Sequence, residues 1–411
     1  MSGGGAPGGI LRRALLHGVP RQVWVLVAGV FLVMIGISLV APIIPLYARE
    51  FGVSRTAAGA LISVFAGARL VFDAFGGAMA DRIGARRVML AGALLVTGSS
   101  VSAALAPNYG VLLASRFLEG AGTAAFALSA MQYLIITTPA ERLGRTIALF
   151  QTGLLAGAAI GPIVGGYAAE IGDFTTPFWV YAGLGLLVAV LAAGFVERTE
   201  PTGIRISEMY RSAGRLLLSP GYVALLVVTF SLFIMRAGAR FTLLPLFGGE
   251  ELGLSEGQIG QVIAVSAIVN VGVVNLAGVL VDRVGRRPVL VLGLILNGLG
   301  VAAYALAESY LSLMVVSVLF GLTTTLASVP PPTLAGDLAP PGAEGASVGL
   351  YRTAGDLGFI VGPLLLGAIA ERGQFDAGFI LTGVILFVAA LVALGIPERR
   401  RAAAGAVEEV R

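Results

Sequence analysis

Apolar residues in this chain are gathered into blocks, near 22–48, 55–79, 87–106, 110–136, 145–169, 177–196, 221–247, 256–281, 288–307, 310–333, 345–370 and 376–396, with polar residues collected between them. A helix needs about 20 apolar residues to cross the roughly 30 Å hydrocarbon core of a bilayer. Twelve such blocks predict an all-α membrane protein with twelve transmembrane helices. The first block is too long for the core of a cleaved signal peptide and is expected to be retained.

The blocks divide into two related sets. DRIGARR begins at Asp81 and DRVGRRP at Asp282, a spacing of 201, and Gly161-Pro162 recurs as Gly362-Pro363 at the same spacing. Glu50/Glu251, Gly52/Gly253, Ser54/Ser255 and Gly59/Gly260 follow the same register. The expected organisation is therefore a tail at 1–20, a six-helix bundle at 21–196, a linker at 197–220, a second six-helix bundle at 221–397 and a tail at 398–411. Two parallel six-helix repeats around a central cavity are a transporter architecture. In the linker, Ile204, Ile206, Met209 and Leu216 alternate with Arg205, Arg211 and Arg215, which suits either a short helix at the membrane surface or a flexible connection.

Composition agrees and adds orientation. Of 411 residues 57% are hydrophobic and 12% charged, with a mean hydropathy of +0.92, so no sizeable soluble domain is expected. All 27 basic residues are arginine; 19 fall in one set of loops and tails, and only Arg49, Arg55 and Arg372 in the other. The positive-inside rule then places both termini in the cytoplasm of a multi-pass protein of the cell (inner) membrane. The net charge of +4 reflects this topology and gives no support to nucleic-acid binding. Cysteine is absent and the one histidine, His17, lies in the N-terminal tail, which disfavours metal, haem and iron–sulfur sites. Without lysine there is no P-loop, and no nucleophile–base set suggests an enzyme. No cofactor and no metal are expected.

Three motifs carry the chemistry. After the second block the chain reads Gly77-Ala-Met-Ala-Asp81-Arg82-Ile-Gly84-Ala-Arg86-Arg87, and after the eighth Gly278-Val-Leu-Val-Asp282-Arg283-Val-Gly285-Arg286-Arg287. This pair resembles the loop signature of the major facilitator superfamily, GxxxDRxGRR, with Ala85 the departure in the first copy. The resemblance covers about residues 20–396 and implies a gate role for these residues, latching the cytoplasmic side. Gly157-Ala-Ala-Ile-Gly161-Pro162-Ile-Val-Gly165-Gly166 is similar to the antiporter motif of that family's drug/proton branch, although small-residue packing would need the same glycines. Arg116-Phe-Leu-Glu119-Gly120 is similar to the RxxxG pattern of its fourth helix, whose arginine is implicated in proton coupling.

Eight charges fall inside the blocks: Arg69, Asp73, Arg116, Glu119, Arg236, Arg240, Arg352 and Asp356. At a helix centre each costs about 2.5–3.5 kcal/mol on insertion scales, so they must be paired or wet. Same-helix spacing offers Arg69/Asp73, Arg352/Asp356 and Arg116/Glu119 as partners. Moved by 201 in either direction, none of the eight meets another charge, so packing symmetry does not require them. Glu119 with Arg116, then Asp356, then Asp73 are the expected proton carriers; helix 1 offers none, since Phe31–Ile35 are apolar. Arg236, Arg240, Arg352 and Arg69, with Phe126 and Phe233, are expected at a substrate cavity whose excess of positive charge favours anionic or zwitterionic groups.

These features predict a secondary active transporter that exports a small amphipathic, drug-like compound in exchange for protons. Its partners would be that small molecule, protons and the bilayer, and it would act as a monomer. An organic-anion carrier or a lipid or glycolipid flippase of the same fold is the alternative; a non-transporting sensor or assembly partner is a third.

Overall fold

The computed structural model describes residues 21–197 and 213–398, without the side chains of 74–81 and 140–141. The tails and linker residues 198–212 lie outside the described residues, and with them most of the expected surface helix; its end, 213–217, is helical. Of that helix's apolar positions only Leu216 is described, and it is buried against the core of the second bundle.

Twelve helices are long and apolar enough to cross a membrane. They are α1 Arg21–Val40, α2 Arg55–Ile83, α3 Ala85–Ala104, α4 Tyr109–Thr137, α5 Ala140–Ile171 and α6 Thr176–Phe195, then α7 Pro220–Glu251, α8 Glu256–Val284, α9 Arg286–Leu306, α10 Tyr310–Leu338, α11 Glu344–Ala370 and α12 Phe375–Ala393. No strand occurs among the described residues. The end carrying the connections 51–54, 172–175, 252–255 and 371–374 is called the outer end below, following the arginine asymmetry.

Helix boundaries follow local chemistry. Asn108 caps α4 through a hydrogen bond from the Val111 N–H (3.0 Å), and Ser255 and Gln258 form a capping box at α8. Before α6, Asp173 accepts the Thr175 hydroxyl (2.6 Å) and the N–H groups of Thr175 (2.8 Å) and Thr176 (3.0 Å), and these bonds, the hydroxyl first, hold its carboxyl below the usual range. The motif glycines Gly84 and Gly285 have φ of +90° and +110°, so the sharp α2–α3 and α8–α9 turns require glycine. α1 stops in a turn at 41–43 and resumes as a short helix, Ile44–Glu50, with Pro45 in its first turn. Its counterpart α7 stays continuous but loosens into π-helical turns at Met235–Leu243 and Phe247–Glu251.

Each bundle has its own apolar interior, one cluster in the second and two main clusters in the first. The bundles meet along two seams, α2 with α11 and α5 with α8. The α5 glycine run makes one of these seams possible while also seating α1. A Cβ at Gly165 would fall 1.8 Å from the Leu39 carbonyl oxygen on α1, and one at Gly166 would fall 2.5 Å from that of Glu256 on α8.

Candidate functional site: charges between and within the bundles

The intramembrane charges are paired differently from the same-helix expectation. Arg352 on α11 donates to Asp73 on α2 at 2.7 Å, and Arg69 on α2 lies 3.4 Å from Asp356 on α11. Each Arg-x-x-x-Asp therefore engages the other one across the seam. The reason is that α2 and α11 run antiparallel, so the arginine of one faces the aspartate of the other. Further outward the same seam continues, with Ser63 donating to the Ile360 carbonyl (2.6 Å) and Gly59 packed on Pro363. Arg55 closes it by donating to the Ala370 carbonyl (2.7 Å), its backbone N–H reaching Glu371 (2.6 Å). From Arg55 to Asp73 this contact covers 18 residues, or about 27 Å of helix. Asp356 is nearly closed off, with 5% of its side chain exposed, whereas Arg352 keeps 40%.

At the outer end the bundles are joined by a charge network that sequence reasoning missed. Glu250 accepts Arg49 at 2.8 Å and Arg55 at 2.7 Å. Arg49 and Glu250 are 201 residues apart, so one repeat position carries opposite charges in the two bundles and pairs with itself across the pseudo-symmetry. The signal was present: two of the three outer arginines, with Glu250 at the register partner of one. α5 and α8 also meet at this end, where Gln261 donates to the Tyr167 hydroxyl (2.5 Å). The structure is thus closed on its outer side.

Arg116 and Glu119 do pair with one another on α4, and both are almost wholly buried, at 3% and 1% side-chain exposure. They lie inside the first bundle. The Arg116 guanidinium sits 4.8 Å over the Phe65 ring of α2, and Glu119 and Arg116 both act electrostatically on the buried Tyr181 of α6. Among the described residues, Glu119 Oε1, Arg116 Nε and the Tyr181 hydroxyl each lack a hydrogen-bond partner. Tyr181 was not among the expected residues, because nothing in its α6 context marks it. Phe126 is likewise interior, packed against Gly29 and Val188, while Phe233 stacks edge-on with Phe359 (5.6 Å) at the α7–α11 contact.

Arg236 and Arg240 stand on the π-helical stretch of α7. Arg240 donates to the Ile263 carbonyl at 3.0 Å, and no carboxylate among the described residues is within 4 Å of either guanidinium. Both Nε atoms are buried without a hydrogen-bond partner among the described residues. The Met235–Leu243 stretch that carries Arg236 packs against α11 and touches α2, so it borders the α2–α11 seam.

The gate motif is described most fully in its second copy. Arg286 pairs with Asp337 of α10, Arg287 lies 3.9 Å from Glu398, and Asp282 and Arg283 are exposed. In the first copy Arg82 and Arg87 are exposed and Arg86 donates to the Ala193 carbonyl at 2.5 Å. The side chain of Asp81 lies outside the described residues.

A twelve-helix bundle in two repeats, closed at one end and carrying charges along its seam, is the architecture of a transporter rather than an enzyme. The chain matches the Major Facilitator Superfamily over residues 26–282 and 225–411 and belongs to that superfamily as a multi-pass membrane protein. It is 23% identical to the quinolone resistance protein NorA of Staphylococcus aureus (strain MRSA252) over 360 residues, 85% of this chain and 90% of that protein. It is 26% identical to multidrug resistance protein 2 of Bacillus subtilis (strain 168) over 382 residues, 89% and 92% of the two chains. Among solved structures, a POT family transporter in complex with 5-aminolevulinic acid superposes with a TM-score of 0.78 at 17% identity, covering 92% of this chain and 96% of that one. At that identity the likeness concerns the fold.

Proposed function

We propose that the protein is a secondary active exporter of small amphipathic, drug-like compounds, driven by proton antiport, with both termini cytoplasmic. The names of its relatives support the cargo class. The observation that carries the coupling is the reciprocal pairing of Arg69 with Asp356 and of Arg352 with Asp73 across the two bundles. A proton on either aspartate removes one of the ionic struts that hold α2 to α11, so protonation acts directly on the rocking of one bundle against the other. Glu119, enclosed with Arg116 in one bundle, would act on that motion only through packing. The coupling is therefore assigned first to Asp356 and Asp73. In proteoliposomes, efflux of a fluorescent amphipathic dye should follow an imposed pH gradient. Asp356→Asn should abolish gradient-driven accumulation while dye exchange without a gradient persists. Accumulation that is indifferent to the gradient and to this substitution would remove proton antiport.

A second reading, an organic-anion carrier of the same fold, is favoured by Arg236 and Arg240. Two guanidiniums without carboxylate partners beside the seam need a counter-charge, and an acidic group on the cargo supplies one. Competition for transport between a carboxylic acid and its methyl ester separates the two readings, since only an anion carrier should prefer the acid.

A further inference from the structure

The internal repeat exposes a difference between the bundles at their cytoplasmic ends. In the second bundle the Glu398 carboxylate accepts the backbone N–H groups of Arg286 (2.9 Å) and Arg287 (3.1 Å), filling the first turn of α9 with negative charge. The Arg287 guanidinium meanwhile reaches the carbonyls of Leu394 and Ile396, both at 3.4 Å. The register of 201 maps Arg287 onto Arg86, Leu394 onto Ala193 and Glu398 onto Glu197. Half of this arrangement is kept in the first bundle, where Arg86 donates to the Ala193 carbonyl. The other half is missing. Glu197 uses its backbone N–H to reach the Tyr133 hydroxyl (3.2 Å), and its carboxylate makes no hydrogen bond or ion pair to a described residue.

Where the second bundle holds a carboxylate, the first holds a cavity of about 600 Å³ between Arg21, Gln22 and Arg86 on one side and residues 193–197 on the other. Its donors are unusually free. Among the described residues Arg86 Nε is buried without a hydrogen-bond partner, and the Arg21 guanidinium rests 4.3 Å over the Phe195 ring with no carboxylate within 4 Å. Gln22 already accepts the Tyr133 hydroxyl through Oε1 (3.1 Å), which leaves its amide N–H groups as donors. The first turn of α3, starting at Ala85, has no side-chain cap.

We propose that this cavity binds the phosphate of an anionic phospholipid headgroup. Two guanidiniums and an open helix N-terminus are the donor set that a phosphate diester or monoester satisfies. A lipid is favoured over a soluble phosphate by position. Arg21 and Gln22, which line the cavity, open α1, and Trp24, one turn after Arg21, is exposed as interfacial tryptophans are. Anionic lipid at the cytoplasmic leaflet attracts basic residues there. In the second bundle the equivalent place is occupied by Glu398, so the first bundle alone would respond to lipid composition. The proposal is independent of the cargo and of proton coupling.

The chain has two tryptophans, so Trp179→Phe leaves Trp24 as a single reporter. This variant is reconstituted into phosphatidylcholine vesicles containing equal mole fractions of either brominated phosphatidylglycerol or brominated phosphatidylcholine. Stronger quenching of Trp24 by the brominated phosphatidylglycerol is expected, with the preference falling about fivefold on Arg21→Gln and again on Arg86→Gln. Glu197→Gln, which removes a negative charge from the rim, should raise the preference. No preference in the starting protein overturns the proposal, as does a preference that survives both arginine substitutions or one that falls with Glu197→Gln. If Arg86→Gln fails to fold, Arg21→Gln decides alone. Inorganic phosphate is then added against chloride at matched ionic strength. Loss of the lipid preference under phosphate alone would assign the site to a soluble phosphate and overturn the lipid assignment, whereas retention supports it.

Discussion

Among the described carboxylates Asp356 alone combines three features: it is nearly buried, it sits on a seam between bundles, and its arginine belongs to the opposite bundle, the last two shared with Asp73. A proton there changes an inter-bundle contact, which is why Asp356→Asn is expected to separate exchange from accumulation. Arg236→Gln tests the second charge feature. If Arg236 meets an acidic group of the cargo, loss of one charge-assisted hydrogen bond, worth about 1.5–3 kcal/mol, should weaken binding of an acidic ligand roughly tenfold to a hundredfold. The binding of its ester should be unchanged, and paired titrations on purified protein would show it. At this scale the sequence identified the charged residues and the Arg116–Glu119 pair, but not the partners of Arg69 and Arg352. The i,i+4 rule sees one helix at a time, and Arg69 and Asp73 satisfy it as well as they satisfy the true cross-helix arrangement. Tyr181 was invisible for another reason, since a tyrosine in an apolar helix acquires meaning only when folding brings Glu119 beside it.

Between elements, glycine decides which helices can touch. The α5 run fits α1 on one side and α8 on the other, so it is both a packing device within the first bundle and a hinge surface between bundles. Gly165→Ala drives a methyl into the backbone of α1 and should cost about 1–3 kcal/mol, read as a lowered unfolding temperature in detergent. Gly84→Ala strains the α2–α3 turn by a comparable amount, about 1–3 kcal/mol, because its φ of +90° excludes a side chain. Both are expected to slow transport as well, Gly165→Ala because its helix borders a seam between the bundles and Gly84→Ala because its turn carries the motif expected to act as a gate. The spans, the repeat and both motif turns were legible in the sequence, because hydropathy, spacing and glycine are local signals. The π-helical widening of α7 at Met235–Leu243 was not, since a block of apolar residues does not separate π-helical from α-helical turns.

For the whole molecule, the outer closure rests on one position used twice. Arg49 and Glu250 are register partners, and a mere mismatch between repeats turns out to be a complementary pair at the pseudo-symmetry axis. Arg49→Glu or Glu250→Arg alone places like charges face to face and should loosen the outer end. Combining them restores the central pair in reverse. Recovery should be incomplete, because Arg55 would lose Glu250 while keeping its contacts to Glu371 and Ala370. The chain's lack of cysteine makes this measurable without background. Ser63→Cys with Ile360→Cys, placed where Ser63 already donates to the Ile360 backbone, should cross-link readily in the closed form and stop transport until reduced. In that background each single charge reversal should slow cross-linking and the double reversal should recover much of the rate. Equal rates in all four proteins would mean that the α2–α11 seam holds the outer side shut without the Arg49–Glu250 pair.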